Sequence, residues 1–204
     1  NTLKVGDGAP ITDQSLFIKD SIAVANATLK VHNVTQDTWY PTILGAIEAA
    51  VDLDLIEVGP GTYVETVTVN KDITLDGAMD PFGSTPAVVQ GLITISAQGA
   101  TVQDLKVTPG SVVGQVAAVS VYASNTTVSG NLIDGMVGDN TASIKGIFAY
   151  GGSTTALENI TVSGNTIKNI SNPGTLVKGT DGIQIQGNLI GVNVTNNIIQ
   201  NISS

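Results

Sequence analysis

The sequence predicts an all-β protein in which short parallel strands wind into a solenoid of about five to six coils, with a capping α-helix near its start. Three observations predict this fold. A short pattern of Asn, Val and Ile occurs three times, aligned on Val128, Val162 and Val194. Short segments with alternating apolar residues fill the chain after residue 51, and Gly, Asn or Ser follows them. Aromatic residues are only 4% of the chain, so the core is predicted to be aliphatic, which suits strands.

The repeat predicts how the strands are arranged. A coil that returns to the same place after each circuit puts equivalent strands side by side in parallel. The pattern also aligns Asn131, Asn165 and Asn197, at intervals of 34 and 32 residues. Stacked at roughly the 4.8 Å strand spacing, their amides would hydrogen-bond to one another in a ladder. The alternative is that Asn is simply common at bends, and Leu105 occupies the equivalent position in the preceding coil.

Residues 1–39 lack the repeat and are predicted to form an N-terminal extension to a β-helix domain at residues 40–204. The extension contains apolar stretches at 15–18, 21–25 and 28–34, and the last of them alternates as a strand does. We expect one or two strands here, packed along the outside of the coil or on a neighbouring subunit.

One amphipathic capping helix is predicted near residues 41–51. Ile43, Ile47 and Val51 fall at helical spacing, and Pro41 stands at the start, where its missing N–H costs nothing. A tight turn is predicted at 59–63. Strands are predicted at 55–58, 65–70, 72–77, 92–96, 101–107, 118–122, 127–133, 146–150, 160–167, 182–186 and 192–199.

Charge and composition exclude several functional classes. The chain has eight Lys, no Arg and a net charge of -9, which is poorly suited to a phosphate backbone, so no nucleic-acid partner is expected. The absence of Cys excludes a disulfide framework and a thiolate metal site. No run of about 18 apolar residues predicts a membrane span. The chain begins at Asn1 without Met or a signal sequence, as either a processed or a trimmed chain would. Its many Thr, Asn and Gly with few charges indicate an extracellular or cell-surface location.

The segment at residues 40–78, YPTILGAIEAAVDLDLIEVGPGTYVETVTVNKDITLDGA, resembles the start of right-handed parallel β-helix proteins of the pectin-lyase-like superfamily. In that superfamily an amphipathic helix caps the open end of the coil, and the first circuit runs as a strand, a PGTY bend and two more strands. The resemblance extends through the repeats to Ser204 and implies a right-handed parallel β-helix. It implies no single function, because the superfamily includes lyases, hydrolases, epimerases, phage tailspikes, adhesins and noncatalytic surface proteins.

Groups for catalysis are sparse in the sequence, which favours a noncatalytic protein. A polysaccharide lyase needs a base with cationic help, often from Arg and calcium, whereas the lysines here are scattered. Glycoside hydrolysis needs two carboxyl groups. The stretch GTDGIQI at 179–185 resembles the NTDG stretch of polygalacturonases, which makes Asp181 a candidate catalytic residue, but the rest of that signature is missing. Gly-Ile after Asp181 is equally the ordinary start of a coil strand. His32, the sole histidine, is predicted to face solvent beside the core-facing Leu29, Val31 and Val34.

No cofactor is predicted, although calcium, which takes six to eight oxygen ligands, would suit the side chains of Asp134, Asp139 and Asn140. Solvated acidic bends explain the same residues. Glycosylation sequons, which accept glycans if the source glycosylates its surface proteins, begin at Asn26, Asn33, Asn125, Asn159, Asn169, Asn193 and Asn201. A repeat rich in Asn and Thr also produces such triplets by chance.

Three functions stay open. The first is a noncatalytic extracellular structural or surface protein that self-assembles into an oligomer, filament or layer. The repeat is still in phase at the last residues, and another subunit would cover the strand edges of that coil, with residues 1–39 reaching across, although a truncated longer protein would give the same sequence. The second is a polysaccharide-active enzyme or depolymerase. The third is a carbohydrate-binding adhesion module, which predicts exposed aromatic residues along one coil face, whereas the Trp and Tyr residues of the chain are few and widely separated: Trp39, Tyr40, Tyr63, Tyr122 and Tyr150.

Overall fold

The computed structural model describes residues 30–77, 82–83, 85–153, 156–174 and 178–204. The predicted apolar stretches at 15–18 and 21–25 and the sequon at Asn26 lie outside the described residues. The helix is α1 (Ile43–Ala49). The strands are β1 (Val31–Asn33), β2 (Thr38–Tyr40), β3 (Leu55–Val58), β4 (Gly61–Tyr63), β5 (Val67–Val69), β6 (Thr74–Asp76), β7 (Ala87–Val89), β8 (Ile93–Ile95), β9 (Thr101–Gln103), β10 (Lys106–Val107), β11 (Gly110–Val112), β12 (Val116–Val121), β13 (Thr127–Ser129), β14 (Leu132–Gly138), β15 (Ile144–Gly151), β16 (Leu157–Glu158), β17 (Thr161–Ser163), β18 (Thr166–Ser171), β19 (Thr180–Gly187), β20 (Leu189–Ile190), β21 (Asn193–Thr195) and β22 (Ile198–Ser203).

The chain visits three sheets in turn, so that each circuit adds one strand to each sheet. Sheet 1 stacks β3, β6, β9, β13, β17 and β21, sheet 2 stacks β4, β7, β10, β14, β18 and β22, and sheet 3 stacks β5, β8, β12, β15 and β19. Neighbouring strands within these stacks are parallel. Beside them β11 pairs with β14, and β16 pairs with β20. The prediction of an all-β fold of stacked parallel strands with a short helix near its start is confirmed.

Aliphatic side chains from successive coils stack in rows inside the solenoid. Val102, Val128 and Val162 are register partners in sheet 1, and each is fully buried. Ile133 and Ile167 form the equivalent row in sheet 2. Burying one such side chain contributes about 1.5–3 kcal/mol, so every added coil is stabilised mainly by the row it extends.

Helix α1 covers the first coil, and charged side chains from that coil satisfy both helix ends. Thr42 is the N-cap, and its hydroxyl accepts a hydrogen bond from the Gly45 N–H at 3.1 Å. The Glu65 carboxylate accepts from the N–H groups of Ile43 and Leu44. At the other end the Lys71 ammonium donates at 2.6 to 2.9 Å to the carbonyls of Ile47, Glu48 and Ala50. The two charges complement the helix dipole and fix the helix on the coil.

An antiparallel hairpin of β1 and β2 extends sheet 1 beyond the first coil, because β1 pairs with β3. The buried Asp54 carboxylate fastens it: it accepts from Asn33 at 2.8 Å, from Gln36 at 2.6 Å and from the Val51 N–H at 2.9 Å. Burial alone would raise the pKa of Asp54, but these hydrogen bonds and the nearby Lys71 outweigh it and lower the pKa. The carboxylate therefore stays charged and joins the hairpin to the coil.

Several predicted strand boundaries are wrong. The predicted turn at 59–63 contains β4, where Tyr63 is buried, and β7 was not predicted at all. The predicted strands at 101–107, 127–133, 160–167 and 192–199 are each two strands on different sheets. A residue with left-handed backbone turns the chain between the two: Asp104, Gly130, Gly164 and Asn196. Gly, Asp and Asn adopt this backbone conformation more readily than other residues, and at these positions they form the corners of the coil.

Candidate ligand-binding cleft on the third sheet

The outer face of sheet 3 presents aromatic and polar side chains. In β15, Ile147 and Ala149 are fully buried in the core, so the alternation of the strand directs Phe148 and Tyr150 outward. Ser120 of β12 is the register partner of Phe148, and Tyr122 follows directly after β12. Side chains from consecutive coils therefore meet on this face.

A cleft of about 630 Å³ lies over this face, which falls within the roughly 300–1,000 Å³ typical of small-molecule sites. Strands β8, β12, β15 and β19 and the segment before β12 form its walls. The polar and aromatic groups that line it are the hydroxyls of Thr94 and Ser120, the amides of Gln115 and Gln186, the amine of Lys145 and the rings of Tyr122, Phe148 and Tyr150. These groups offer hydrogen bonds in both directions, ring stacking and one positive charge.

Three rings form the apolar part of the cleft. Phe148 and Tyr150 are stacked, with ring centroids 5.7 Å apart and planes at 26°. Tyr122 meets Phe148 edge-on, with centroids 6.5 Å apart. Tyr122 and Tyr150 are 46% and 40% exposed, whereas Phe148 is 9% exposed. The buried Phe148 ring thus holds two half-exposed tyrosines in place, each with a hydroxyl that can bind a ligand.

Lys145 brings a positive charge to the cleft. Its side chain is the largest of the fully buried ones in the described residues, at 2% exposure. The ammonium lies 5.1 Å from the centre of the Phe148 ring, a cation–π contact worth about 2 kcal/mol when desolvated, and 3.5 Å from the Ser143 carbonyl oxygen. Burial lowers the pKa of Lys145, and the negative charge of Asp181 acts in the opposite direction.

Asp181, the candidate catalytic residue, lies on β19 as the register partner of Lys145. It is half-buried and is not among the residues that line the cleft. The described lining contains no Asp, Glu or His, which are the usual acid–base side chains. Asp181 therefore acts on the cleft through its charge on Lys145, and its catalytic role stays a prediction.

Two of the three candidate calcium ligands, Asp134 and Asp139, have protein partners for their side chains. Asp134 lies 3.5 Å from the Lys168 ammonium and accepts from Asn169. Asp139 accepts from the hydroxyl and the N–H of Thr141, and these hydrogen bonds lower its pKa. Asn140 is buried, and its Oδ1 has no partner among the described residues. Within the described parts of the chain, no group of three or more His, Cys, Asp or Glu residues could hold a metal ion, so calcium binding stays a prediction.

The aligned asparagines are hydrogen-bonded along the coil. Asn131 Nδ2 donates to Asn165 Oδ1 at 3.0 Å, and Asn165 Nδ2 donates to Asn197 Oδ1 at 3.0 Å. Asn131 and Asn165 are fully buried. The row ends on Leu105, whose backbone N–H donates to Asn131 Oδ1 at 3.1 Å. These side chains belong to the interior of the corner between sheets 1 and 2 and contribute to stability.

The sequons differ in exposure. Asn125, Asn159, Asn169, Asn193 and Asn201 are exposed. Two further amide rows exist on the surface, since Asn159 donates to Asn125 and Asn201 donates to Asn169. The predicted glycosylation site at Asn33 differs from these. The Asn33 side chain is fully buried and donates to Asp54, so a glycan at Asn33 does not fit the folded hairpin.

The hairpin also corrects the prediction for His32. The ring stacks on Trp39, with centroids 4.2 Å apart, and its Nε2 lies 3.2 Å from Asp37, so only 19% of the side chain is exposed. Val31 faces the core as predicted, but the other inward residue is Asn33, and Val34 is exposed. The polar Asn33 is buried because Asp54 pairs with it.

Phe148, Lys145 and Gln186 were not recognised as site residues from the sequence. Their signal is the outward position within a strand, which can be read only after the register between coils is known. Tyr122 and Tyr150, judged widely separated, lie one circuit apart and flank the same ring.

A scan against protein-family models, a search of curated proteins and a search of solved structures returned no match. In the described residues, no helix is long and apolar enough to cross a membrane.

Proposed function

We propose that this chain is a noncatalytic carbohydrate-binding protein of the cell surface or extracellular space, and a member of the pectin-lyase-like superfamily. The observation that supports the proposal best is the meeting of Tyr122, Phe148 and Tyr150 on one face above the cleft. The resemblance of residues 40–78 to the opening of that superfamily and the parallel coil support the membership.

A sugar ring has one face of C–H groups and a rim of hydroxyls, and the cleft offers a counterpart to each. The half-exposed rings of Tyr122 and Tyr150 provide flat apolar area at a low cost in conformational entropy. The hydroxyl of Ser120 and the amides of Gln115 and Gln186 can donate to and accept from sugar hydroxyls. All but Gln115 and Tyr122 belong to strands, and a site built on strands keeps its geometry.

Noncatalytic binding fits these groups better than hydrolysis does. A hydrolase needs two carboxyl groups flanking the scissile bond, about 5–9.5 Å apart. The described cleft lining provides rings, hydroxyls, amides and one amine instead. These groups hold and orient a ligand.

The test is a titration of neutral and acidic oligosaccharides by calorimetry, with Tyr122→Ala as the cleft variant. Removing this ring should weaken binding about tenfold or more, which corresponds to about 1.4 kcal/mol. Trp39→Ala is the matched control, because Trp39 is exposed to the same degree, 45% against 46%, and lies on the hairpin. The proposal would be refuted if Trp39→Ala weakened binding as much as Tyr122→Ala does, or if no oligosaccharide bound.

A further inference from the structure

Lys145 is the most deeply buried lysine of the described residues, and the protein leaves its charge largely unpaired. The Lys71 ammonium has three carbonyl acceptors at 2.6 to 2.9 Å, and Lys168 is paired with Asp134. Lys145 is more deeply buried, yet its one acceptor among the described residues is the Ser143 carbonyl at 3.5 Å. An ammonium has three N–H donors, so at least two of them have no acceptor among the described residues, and Lys145 lines the cleft.

The groups around Lys145 supply only part of the favourable electrostatic interaction that a buried cation needs to offset its loss of hydration. The Phe148 ring contributes a cation–π contact from the same strand. Asp181 on β19 is its neighbour in register, but the two side chains do not form an ion pair within the described residues. A buried charge without a close partner is unfavourable, and an anion bound in the cleft would remove that penalty.

We propose that Lys145 is an anion subsite, and that the cleft takes an acidic oligosaccharide whose carboxylate or sulfate group accepts hydrogen bonds from the Lys145 ammonium. This inference rests on the proposed carbohydrate-binding function and adds the class of ligand. The adjoining sugar ring stacks on Tyr122 or Tyr150, both of which line the same cleft. The Phe148 ring contacts both the Lys145 ammonium and the Tyr150 ring, and so joins the charged and the apolar parts of the site.

The charge also determines selectivity. A neutral oligosaccharide can stack on the tyrosines, but it leaves Lys145 without a counter-charge. An acidic one gains a charge-assisted hydrogen bond in a site that is shielded from water, where such a bond is stronger than at the surface. The net charge of -9 on the chain repels acidic polymers elsewhere, so their binding should be confined to this subsite.

The experiment uses the whole chain on an array that carries neutral oligosaccharides beside the same oligosaccharides bearing uronic acid carboxylates or sulfate esters. Wild-type protein should bind acidic members at least about tenfold more tightly than their neutral counterparts, and the preference should shrink as salt rises. Lys145→Met should abolish the preference, so that acidic members bind no more tightly than their neutral counterparts. Lys106→Met, which removes the same charge from sheet 2, should keep the preference.

Each outcome decides the inference. Equal binding of neutral and acidic members by wild type overturns it and leaves the proposed carbohydrate-binding function standing. Binding of no member overturns both. An acidic preference that survives Lys145→Met overturns the role of Lys145, as does an equal loss in Lys106→Met. The wild-type comparison does not depend on the folding of a variant, and circular dichroism confirms that each variant tested is folded.

Discussion

Asn165→Ala tests whether the interior amide row stabilises the coil. The side-chain oxygen of Asn165, Oδ1, accepts hydrogen bonds from the backbone N–H and from Nδ2 of Asn131, both at 3.0 Å. The side-chain nitrogen of Asn165, Nδ2, donates to the backbone carbonyl of Val128 at 2.9 Å. The side chain is fully buried, so water cannot replace these bonds. The substitution leaves at least two buried backbone groups without this partner, at about 1–3 kcal/mol each, so the free energy of unfolding should fall by roughly 2–6 kcal/mol.

That loss is a large part of the roughly 5–15 kcal/mol by which folded proteins are stable. The assay is urea unfolding followed by circular dichroism, comparing midpoints under identical conditions, since a coil of repeats need not unfold in one step. Asn193→Ala is the matched control, because Asn193 is exposed on the outer side of sheet 1 and should change stability by less than about 0.5 kcal/mol. Equal urea midpoints for the two variants would show that the interior amide row does not stabilise the coil.

Three further predictions follow from the helix, the hairpin and the cleft. Lys71→Met should lower the free energy of unfolding by about 2 kcal/mol, because the carbonyls at the end of α1 lose their donor; an unchanged urea midpoint would contradict this. Folding lowers the pKa of Asp54, so the stability that its carboxylate contributes is present above about pH 4 and is lost as the pH falls through the folded-state pKa. Asp54→Asn should therefore make the urea midpoint depend less on pH in that range. Parallel plots of midpoint against pH for the wild type and the variant would contradict this. Asp181→Asn removes the negative charge next to Lys145, so calorimetry should show tighter binding of acidic oligosaccharides and unchanged binding of neutral ones. Weaker binding of acidic oligosaccharides would contradict Lys145 as the anion subsite.

The fold could be predicted from the sequence because a solenoid repeats the same local chemistry. Val128, Val162 and Val194 recur at the intervals that one circuit requires. The helix follows from its apolar spacing, although it begins at Ile43 rather than at Pro41 because Thr42 is its N-cap. The predicted strands run through the corners, because Ser-Gly-Asn lies between two apolar runs that together resemble one strand. In the structure Gly130 and Gly164 have left-handed backbone there and direct the chain to the next sheet.

The cleft could not be predicted because it depends on the register between coils. Periodicity shows which side of one strand is apolar, but it does not show which outward residue of the next coil lies beside it. Phe148 meets Tyr122 only because β12 and β15 pair with Ser120 opposite Phe148. The burial of Lys145 is likewise a property of the assembled face, since an isolated Lys in a polar segment is ordinarily expected to be solvated.

The most direct test of binding in the cleft is the aromatic NMR spectrum of the protein during titration with an acidic oligosaccharide selected on the array. The ring signals of Tyr122, Phe148 and Tyr150 should shift together and saturate with one dissociation constant, while the signals of Trp39 stay unchanged. Shifts at Trp39 with none at Tyr122 and Tyr150 would place the ligand elsewhere and contradict the cleft on sheet 3 as the binding site.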